Sequence, residues 1–343
     1  MKLKIDNFRL VSIPVPFRLS WGKLGYSRHL YLTLRDDQGR TGQGEGVLYK
    51  KTHWELLPFL ETLSEIDTKS NDFVQFEPAL AFAVDSAERD LGRKMADVRF
   101  PESAVTREIF LEDKKLPEKV AYMVGLGTKY VKLKVGAGLD SDKKNITRVN
   151  DLSKRKLLIR LDANRAYGLE EALELARWGK DNNVILFEEP VRGDFPRVKK
   201  FRQRSGMPVM LDESIQSLTS LEAAIKAKCF DVLNVKLTRL GGISKAQEYI
   251  KICQRAGIKV YLGCSEELAI GTKAILALAK QTKDLYGVEG YGEERLAPYL
   301  KKSFEYESGK DNRFLFLARE FWGIWQTRAE NVLLKATAPF NNQ

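Results

Sequence analysis

With 343 residues and 43% hydrophobic content, the chain has the material for one large domain or two medium ones and is too apolar for disorder. Its cysteines, Cys229, Cys253 and Cys264, lie far apart without a CxxC, which excludes a disulfide framework and a zinc knuckle; His29 and His53 are the only histidines, too few for a His-rich zinc site. A net charge of +11 fits a basic surface or attraction of anionic substrates, but the basic run at 197–204 lacks the aromatic interleaving of a nucleic-acid module, and no apolar run approaches the roughly 20 residues of a membrane helix.

The charged start, Met1 to Asp6, lacks the apolar segment of a signal peptide, so a cytoplasmic location is expected, with neither nucleic acid nor membrane as partner. Residues 1–103 read as an α+β domain. Residues 3–15 and 30–34 pattern as strands, residues 35–40 supply a turn, and a short strand covers 41–46. Helical patterns follow at 53–63 and 76–94. Pro78 falls in the first turn of the second, where its missing N–H costs little, and Ala79, Ala81, Ala83 and Ala87 allow close packing. Residues 16–28, with Gly22 and Gly25, read as a mobile loop.

Over 104–292 the pattern changes. Short apolar runs recur at 109–111, 130–135, 157–162, 184–188, 209–212, 232–236, 259–263 and 285–289, with helical patterns between them, among others at 169–180, 220–228 and 244–256. Strands alternating with helices of this length imply a parallel sheet, and eight of them predict an α/β fold with a modified (β/α)8 barrel. Residues 293–343 form a divergent C-terminal segment. Its aromatic runs suggest a helix over 313–335, packing on the chain's own domains.

The chemistry lies at the strand ends. Lys132 and Lys134 share one face of a strand, and alone they could be a solvated edge. Lys134, Asp162, Glu188, Asp212 and Lys236, however, end five consecutive strands at gaps of 28, 26, 24 and 24 residues. A barrel gathers such ends around one mouth, where active sites of this architecture lie. Converging carboxylates repel unless a cation intervenes, and Mg2+ takes carboxylate oxygens while leaving positions for substrate. Asp162, Glu188 and Asp212 are therefore candidate ligands of one Mg2+; the bland alternative is salt bridging to barrel lysines. Lys134 is the candidate general base, with Lys132 as the neighbouring charge that lowers its basicity, and Lys236 stands opposite as its acid/base partner.

The motifs Lys132-Leu133-Lys134, Leu161-Asp162-Ala163-Asn164, Phe187-Glu188-Glu189-Pro190, Leu211-Asp212-Glu213-Ser214 and Asn234-Val235-Lys236, with Gly241-Gly242-Ile243 after the last, resemble the enolase superfamily in its muconate-lactonizing-enzyme subgroup. The resemblance implies that residues 1–103 are a capping domain whose loops cover the substrate, that Glu188 and Asp212 rather than Glu189 and Glu213 are ligands, and that Asn164 sits beside the metal. Lys236, and the lack of histidine after His53, set the chain apart from members with a His-Asp base. The implied chemistry is removal of the proton α to the carboxylate of a small-molecule substrate.

Within the subgroup, Gly263-Cys264 and Glu289 favour a dipeptide epimerase, with Glu267 and Glu289 as further substrate-binding candidates. Tyr286-Gly287-Val288-Glu289 also resembles muconate cycloisomerases. That activity and o-succinylbenzoate synthase remain alternatives, and a noncatalytic metal-binding barrel is the reading from another class. Members of this family are often oligomeric, so a homo-oligomer is a further implied expectation.

Overall fold

The computed structural model describes residues 3–19, 22–48, 53–62, 77–92, 101–109, 115–290, 292, 296–307 and 314–316. The chain opens with an antiparallel meander: β1 (Lys4–Leu19), β2 (Gly22–Arg35) and β3 (Thr41–Val47). Residues 16–28, expected as a loop, instead belong largely to the β1–β2 hairpin, where Pro14 pairs with Tyr26, Phe17 with Leu24 and Leu19 with Gly22. A register shift between Pro14 and Phe17 accommodates Pro16, which lacks the N–H that a ladder needs. Pairing satisfies the backbone of this segment, and that outweighs the local loop signal of its glycines.

Helix α1 (His53–Thr62) and helix α2 (Pro78–Leu91) pack on the meander. β3 carries Gly42, Gly44 and Gly46 at alternate positions, and α2 carries Ala79, Ala83 and Ala87 at four-residue spacing. The two sets interlock so closely that a Cβ on Gly42, Gly44 or Gly46 would stand 2.1, 1.8 or 2.1 Å from the carbonyl oxygen of Ala87, Ala83 or Ala79.

The second sheet has eight strands, all in parallel ladders: β4 (Thr106–Ile109), β5 (Tyr130–Lys134), β6 (Leu158–Asp162), β7 (Val184–Glu188), β8 (Val209–Leu211), β9 (Val232–Lys236), β10 (Lys259–Gly263) and β11 (Leu285–Val288). They neighbour one another in chain order, and a parallel bridge from Val105 to Val288 joins the two ends into a barrel. The first strand sits earlier than the apolar run at 109–111 suggests, because its register matches Thr106 to Tyr130 and Ile109 to Leu133.

The intervening helices are α3 (Leu116–Gly125), α4 (Leu139–Ser153), α5 (Leu169–Lys180), α6 (Phe195–Ser205), α7 (Leu218–Ala227), the one-turn α8 (Leu237–Leu240), α9 (Ile243–Arg255) and α10 (Ala269–Gln281). Strand alternation divides the barrel wall. Val131 and Leu133 of β5 are fully buried among the apolar residues between sheet and helices, while Lys132 and Lys134 lie on the opposite face. Leu186, Met210, Val232 and Tyr261 form a smaller apolar cluster of their own.

After the barrel, β12 (Phe304–Glu307) pairs antiparallel with β1, and β13 (Phe314–Phe316) pairs with β12, giving the sheet order β13-β12-β1-β2-β3. The expected helix over 313–335 is thus corrected at its start, where residues 314–316 are a strand; residues 317–335 lie outside the described residues. The Phe-Leu-Phe triplet forms the outermost strand of the sheet, and aromatic residues are enriched in strands.

Candidate active site

The barrel register sets charged strand ends side by side. Lys134 pairs with Asp162 and Asp162 with Glu188, while Asp212 follows directly after β8 and Lys236 ends β9. Three strands separate β5 from β9 in either direction around the barrel, so Lys134 and Lys236 face each other across the mouth. The three carboxylates between them are 3% (Asp162), 1% (Glu188) and 4% (Asp212) exposed, whereas the side chains of Lys134 and Lys236 keep 29% and 16%. The amines, not the acids, are therefore the groups a ligand meets with least rearrangement.

Each lysine has an acidic neighbour. Lys134 Nζ donates to Asn164 Oδ1 at 3.0 Å and lies 3.6 Å from Asp162 Oδ2. Lys236 Nζ donates to Asp212 Oδ2 at 2.7 Å, and Arg239 of α8 forms an ion pair with the other Asp212 oxygen. Burial alone would raise the Asp212 carboxyl, but Arg239 and Lys236 override it and hold the group below the usual carboxylate range. Glu188 goes the other way. Burial, then the charge of Asp162, push it up to about 7 against the pull of Arg160. Its Oε1 accepts from Asn234 Nδ2 at 2.8 Å, while Oε2 lies 3.3 Å from Arg160 Nε without a hydrogen bond.

This donor set fits a hard divalent cation: three buried carboxylates on adjoining strands, one driven towards protonation by burial and then by the others, with a buried Glu188 oxygen lacking a hydrogen bond. Among the described residues no three acidic, His or Cys side chains already share ligand spacing. Arg160, Lys236 and Arg239 stand among the carboxylates, the first paired with Glu188 and the other two with Asp212.

Neighbouring groups fix the ligand candidates in place. Glu189, at φ +44°, turns its carboxylate back to accept the N–H groups of Asp212 and Ser214, each at 2.8 Å, and the Ser214 hydroxyl at 2.6 Å. Its oxygens are thereby spent on the loop that carries Asp212. Asn164, at φ +42°, bridges Lys134 to Glu213, donating to Glu213 Oε1 at 3.2 Å. Asp142 accepts from Gly136 N at 2.8 Å and from the Tyr167 hydroxyl, anchoring the turn after Lys134.

One step deeper lies a layer in which motif reading singles out Lys132 and includes Asn234 without a role, but misses Arg160 and Tyr261. Lys132, Arg160, Asn234 and Tyr261 each precede a strand end by two residues and so share its face; that parity is the signal that finds them. Arg160 stacks on the Tyr261 ring at 4.3 Å and pairs with Glu289, whose Oε1 also lies 3.2 Å from Lys132 Nζ. The other Glu289 oxygen accepts from Cys264 N at 3.2 Å. Burial opposes ionisation of Glu289, but Lys132 and Arg160 lower it to about 2. Glu108 adds a second carboxylate 3.9 Å from Lys132. The charge of Lys132, expected to act on Lys134, is thus matched by two acids; despite burial, Glu108 and Glu289 hold Lys132 above the ordinary lysine range.

The two further substrate-binding candidates are both buried in the barrel. Glu289 is an interior counter-ion with both oxygens engaged. Glu267 is fully buried, accepts the Ser265 N–H, and is raised to about 7 chiefly by burial.

Comparison with known proteins places this geometry in context. The family described as "Enolase C-terminal domain-like" matches residues 115–310. A hydrophobic dipeptide epimerase of Enterococcus faecalis is 27% identical over 317 residues, covering 83% of this chain and 89% of that protein. The crystal structure of a dipeptide epimerase from Enterococcus faecalis V583, complexed with Mg and L-Leu-L-Tyr, superposes with a TM-score of 0.72 at 23% identity, covering 85% of this chain and 91% of that one. A muconate lactonizing enzyme from Pseudomonas fluorescens, complexed with muconolactone, gives 0.71 at 21% identity, covering 84% and 87%.

Proposed function

The chain belongs to the enolase C-terminal domain-like family, in the muconate-lactonizing-enzyme subgroup of the enolase superfamily, and from that premise we propose that this isomerase is an Mg2+-dependent epimerase that inverts the carbon α to a carboxylate, with a dipeptide as substrate. The observation that carries the proposal is the pair of partly exposed lysines on opposite sides of one mouth, separated by buried carboxylates. In this reading the neutral amine of Lys134 takes the α-proton from one face. The ammonium of Lys236 gives a proton to the other face, and the reverse reaction exchanges the roles. Asp162, Glu188 and Asp212 would hold Mg2+, which when bound offsets the negative charge that builds on the substrate carboxylate. Asn164 holds Lys134 in line, and Arg239 holds Asp212 beside Lys236. A two-base inversion matches the 1,1-proton transfer of epimerases and leaves the carbon skeleton unchanged, as similarity to a dipeptide epimerase over 83% of the chain favours.

The test is to incubate the Mg2+-loaded protein with a dipeptide library in deuterated water. Incorporation of α-deuterium with inversion at one residue is expected. No deuterium in any dipeptide rules out the dipeptide substrate, and retention of configuration rules out the two-base route.

A further inference from the structure

Several barrel helices begin without a side-chain cap from their own N-cap residue, and two of them, α9 and α10, take acceptors from another domain. Helix α9 starts after Gly242 and α10 after Leu268, and neither residue offers a side-chain acceptor to the exposed N–H groups of a first turn. Elsewhere in the barrel, Asp194 caps α6 and Ser217 caps α7 from within the same loop. At α9 and α10 the acceptors come from the N-terminal domain. Asp85 of α2 takes the Ile243 N–H on Oδ2 at 2.6 Å and the Ser244 hydroxyl on Oδ1 at 3.1 Å; Arg89 braces it, with Nε 3.2 Å from Asp85 Oδ1. Glu45 of β3 takes the Leu268 N–H on Oε1 at 2.7 Å and the Gly271 N–H on Oε2 at 2.9 Å, while His29 Nδ1 stands 3.0 Å from Oε1.

The fit depends on missing side chains. A Cβ on Gly242 would stand 2.8 Å from Asp85 Oδ2, so the glycine that cannot cap leaves room for the carboxylate that does. Both carboxylates sit on one stiff unit, because β3 and α2 are the pair interlocked by glycines and alanines. Phe82 of α2 is fully buried in the barrel's own core cluster. The segments they grip bear on the mouth. Lys236, Arg239 and Ile243 follow one another through α8 into α9, and Leu268 succeeds the buried Glu266 and Glu267 after β10.

We propose that Glu45 and Asp85 are positioning residues: two carboxylates on one rigid β3–α2 unit cap α9 and α10 in trans, and by doing so hold Lys236 and Arg239 in register at the mouth. The barrel acquires its working geometry only with the N-terminal domain seated. Only the kinetic arm of the test rests on the epimerase reading.

The test follows amide hydrogen exchange, site by site, in the full chain and in Glu45→Ala, Glu45→Gln, Asp85→Ala and Asp85→Asn. Losing an N-cap is expected to speed exchange about 3- to 30-fold. Glu45→Ala does this at Leu268 and Gly271 and spares Ile243; Asp85→Ala does the converse. Gln and Asn, which keep one acceptor oxygen, give intermediate values, and they carry the test if an alanine variant does not fold. In substrate deuteration, Asp85→Asn is expected to lower kcat about tenfold with KM nearly unchanged, since it displaces a proton donor and not a binding group. Unchanged exchange at these amides in folded variants overturns the proposal, and so does acceleration spread evenly over all barrel helices. If the wild type deuterates no substrate while the site-selective exchange pattern holds, the epimerase reading has failed and the capping stands.

Discussion

Replacing Glu289 by Gln takes away the charge shared by Lys132 and Arg160 and leaves two buried cations short of a partner. Uncompensated buried charge is costly, so urea unfolding of Glu289→Gln is expected to show a loss on the order of 3–5 kcal/mol. The pH dependence carries the same information. The folded-state value is depressed to about 2, and the unfolded-state value for a glutamate is about 4.3. The stabilisation is therefore complete above about 4.3 and disappears as pH falls through 2, so the variant has a shallower acid limb in that window. A Glu289 that served a substrate ammonium would instead raise KM and leave stability nearly untouched. At the two lysines the expectation is kinetic. Lys134→Ala and Lys236→Ala each lower epimerisation by about 10²- to 10⁴-fold, and each variant still exchanges the α-proton of only one epimer, as read by proton NMR in deuterated water. Equal residual exchange with both epimers would argue against a division of faces between the lysines.

The β3–α2 contact shows how a short pattern becomes a rigid element. Gly44→Ala would place a Cβ 1.8 Å from the Ala83 carbonyl oxygen, a backbone atom that cannot swing aside, and 2.8 Å from Ser86 Oγ. It is expected to cost at least about 2–3 kcal/mol by thermal or urea unfolding, as overpacking does. At this scale the sequence was legible where one face carries the signal. Helix α5 is read at its observed bounds, since its apolar stripe is regular and its ends are charged as a helix requires. Helix α4 is harder to read, because its buried face includes Asp142, Asn150 and Ser153 and only Ile146 and Val149 as large apolar residues. Residues 16–28 of the β1–β2 hairpin read as a loop because their pairing is decided across the ladder and not within the segment. The strand-end charges stood out because one per repeat is a long-range period. Arg160 did not, because nothing local separates an inward polar residue from an ordinary one until the barrel closes. The roles of Glu45 and Asp85 lie in contacts that span 223 and 158 residues, beyond the reach of local pattern.

For the whole molecule, the set of carboxylates at the mouth is expected to make folding sensitive to a divalent counter-ion. Mg2+ at a hundredfold excess over its dissociation constant is expected to stabilise the native chain by about 2.7 kcal/mol, read as a rise in Tm that EDTA reverses. Asp162→Asn should abolish most of that rise. An equal Mg2+ effect on wild type and variant would place the ion elsewhere.

The sheet of the N-terminal domain has a further consequence, for the order of events during synthesis. β1 receives β2 on one side within a few residues, but its other side waits for β12, with Ser12 paired to Phe304. About 290 residues separate the partners, so a ribosome adding roughly 5–20 residues per second leaves that edge unmatched for about 15 to 60 s. For that interval the nascent chain shows a long, hydrogen-bond-hungry strand to its surroundings. Slowing translation late in the message should lower the yield of native protein more than slowing it early, and a holdase that shields strand edges should restore it.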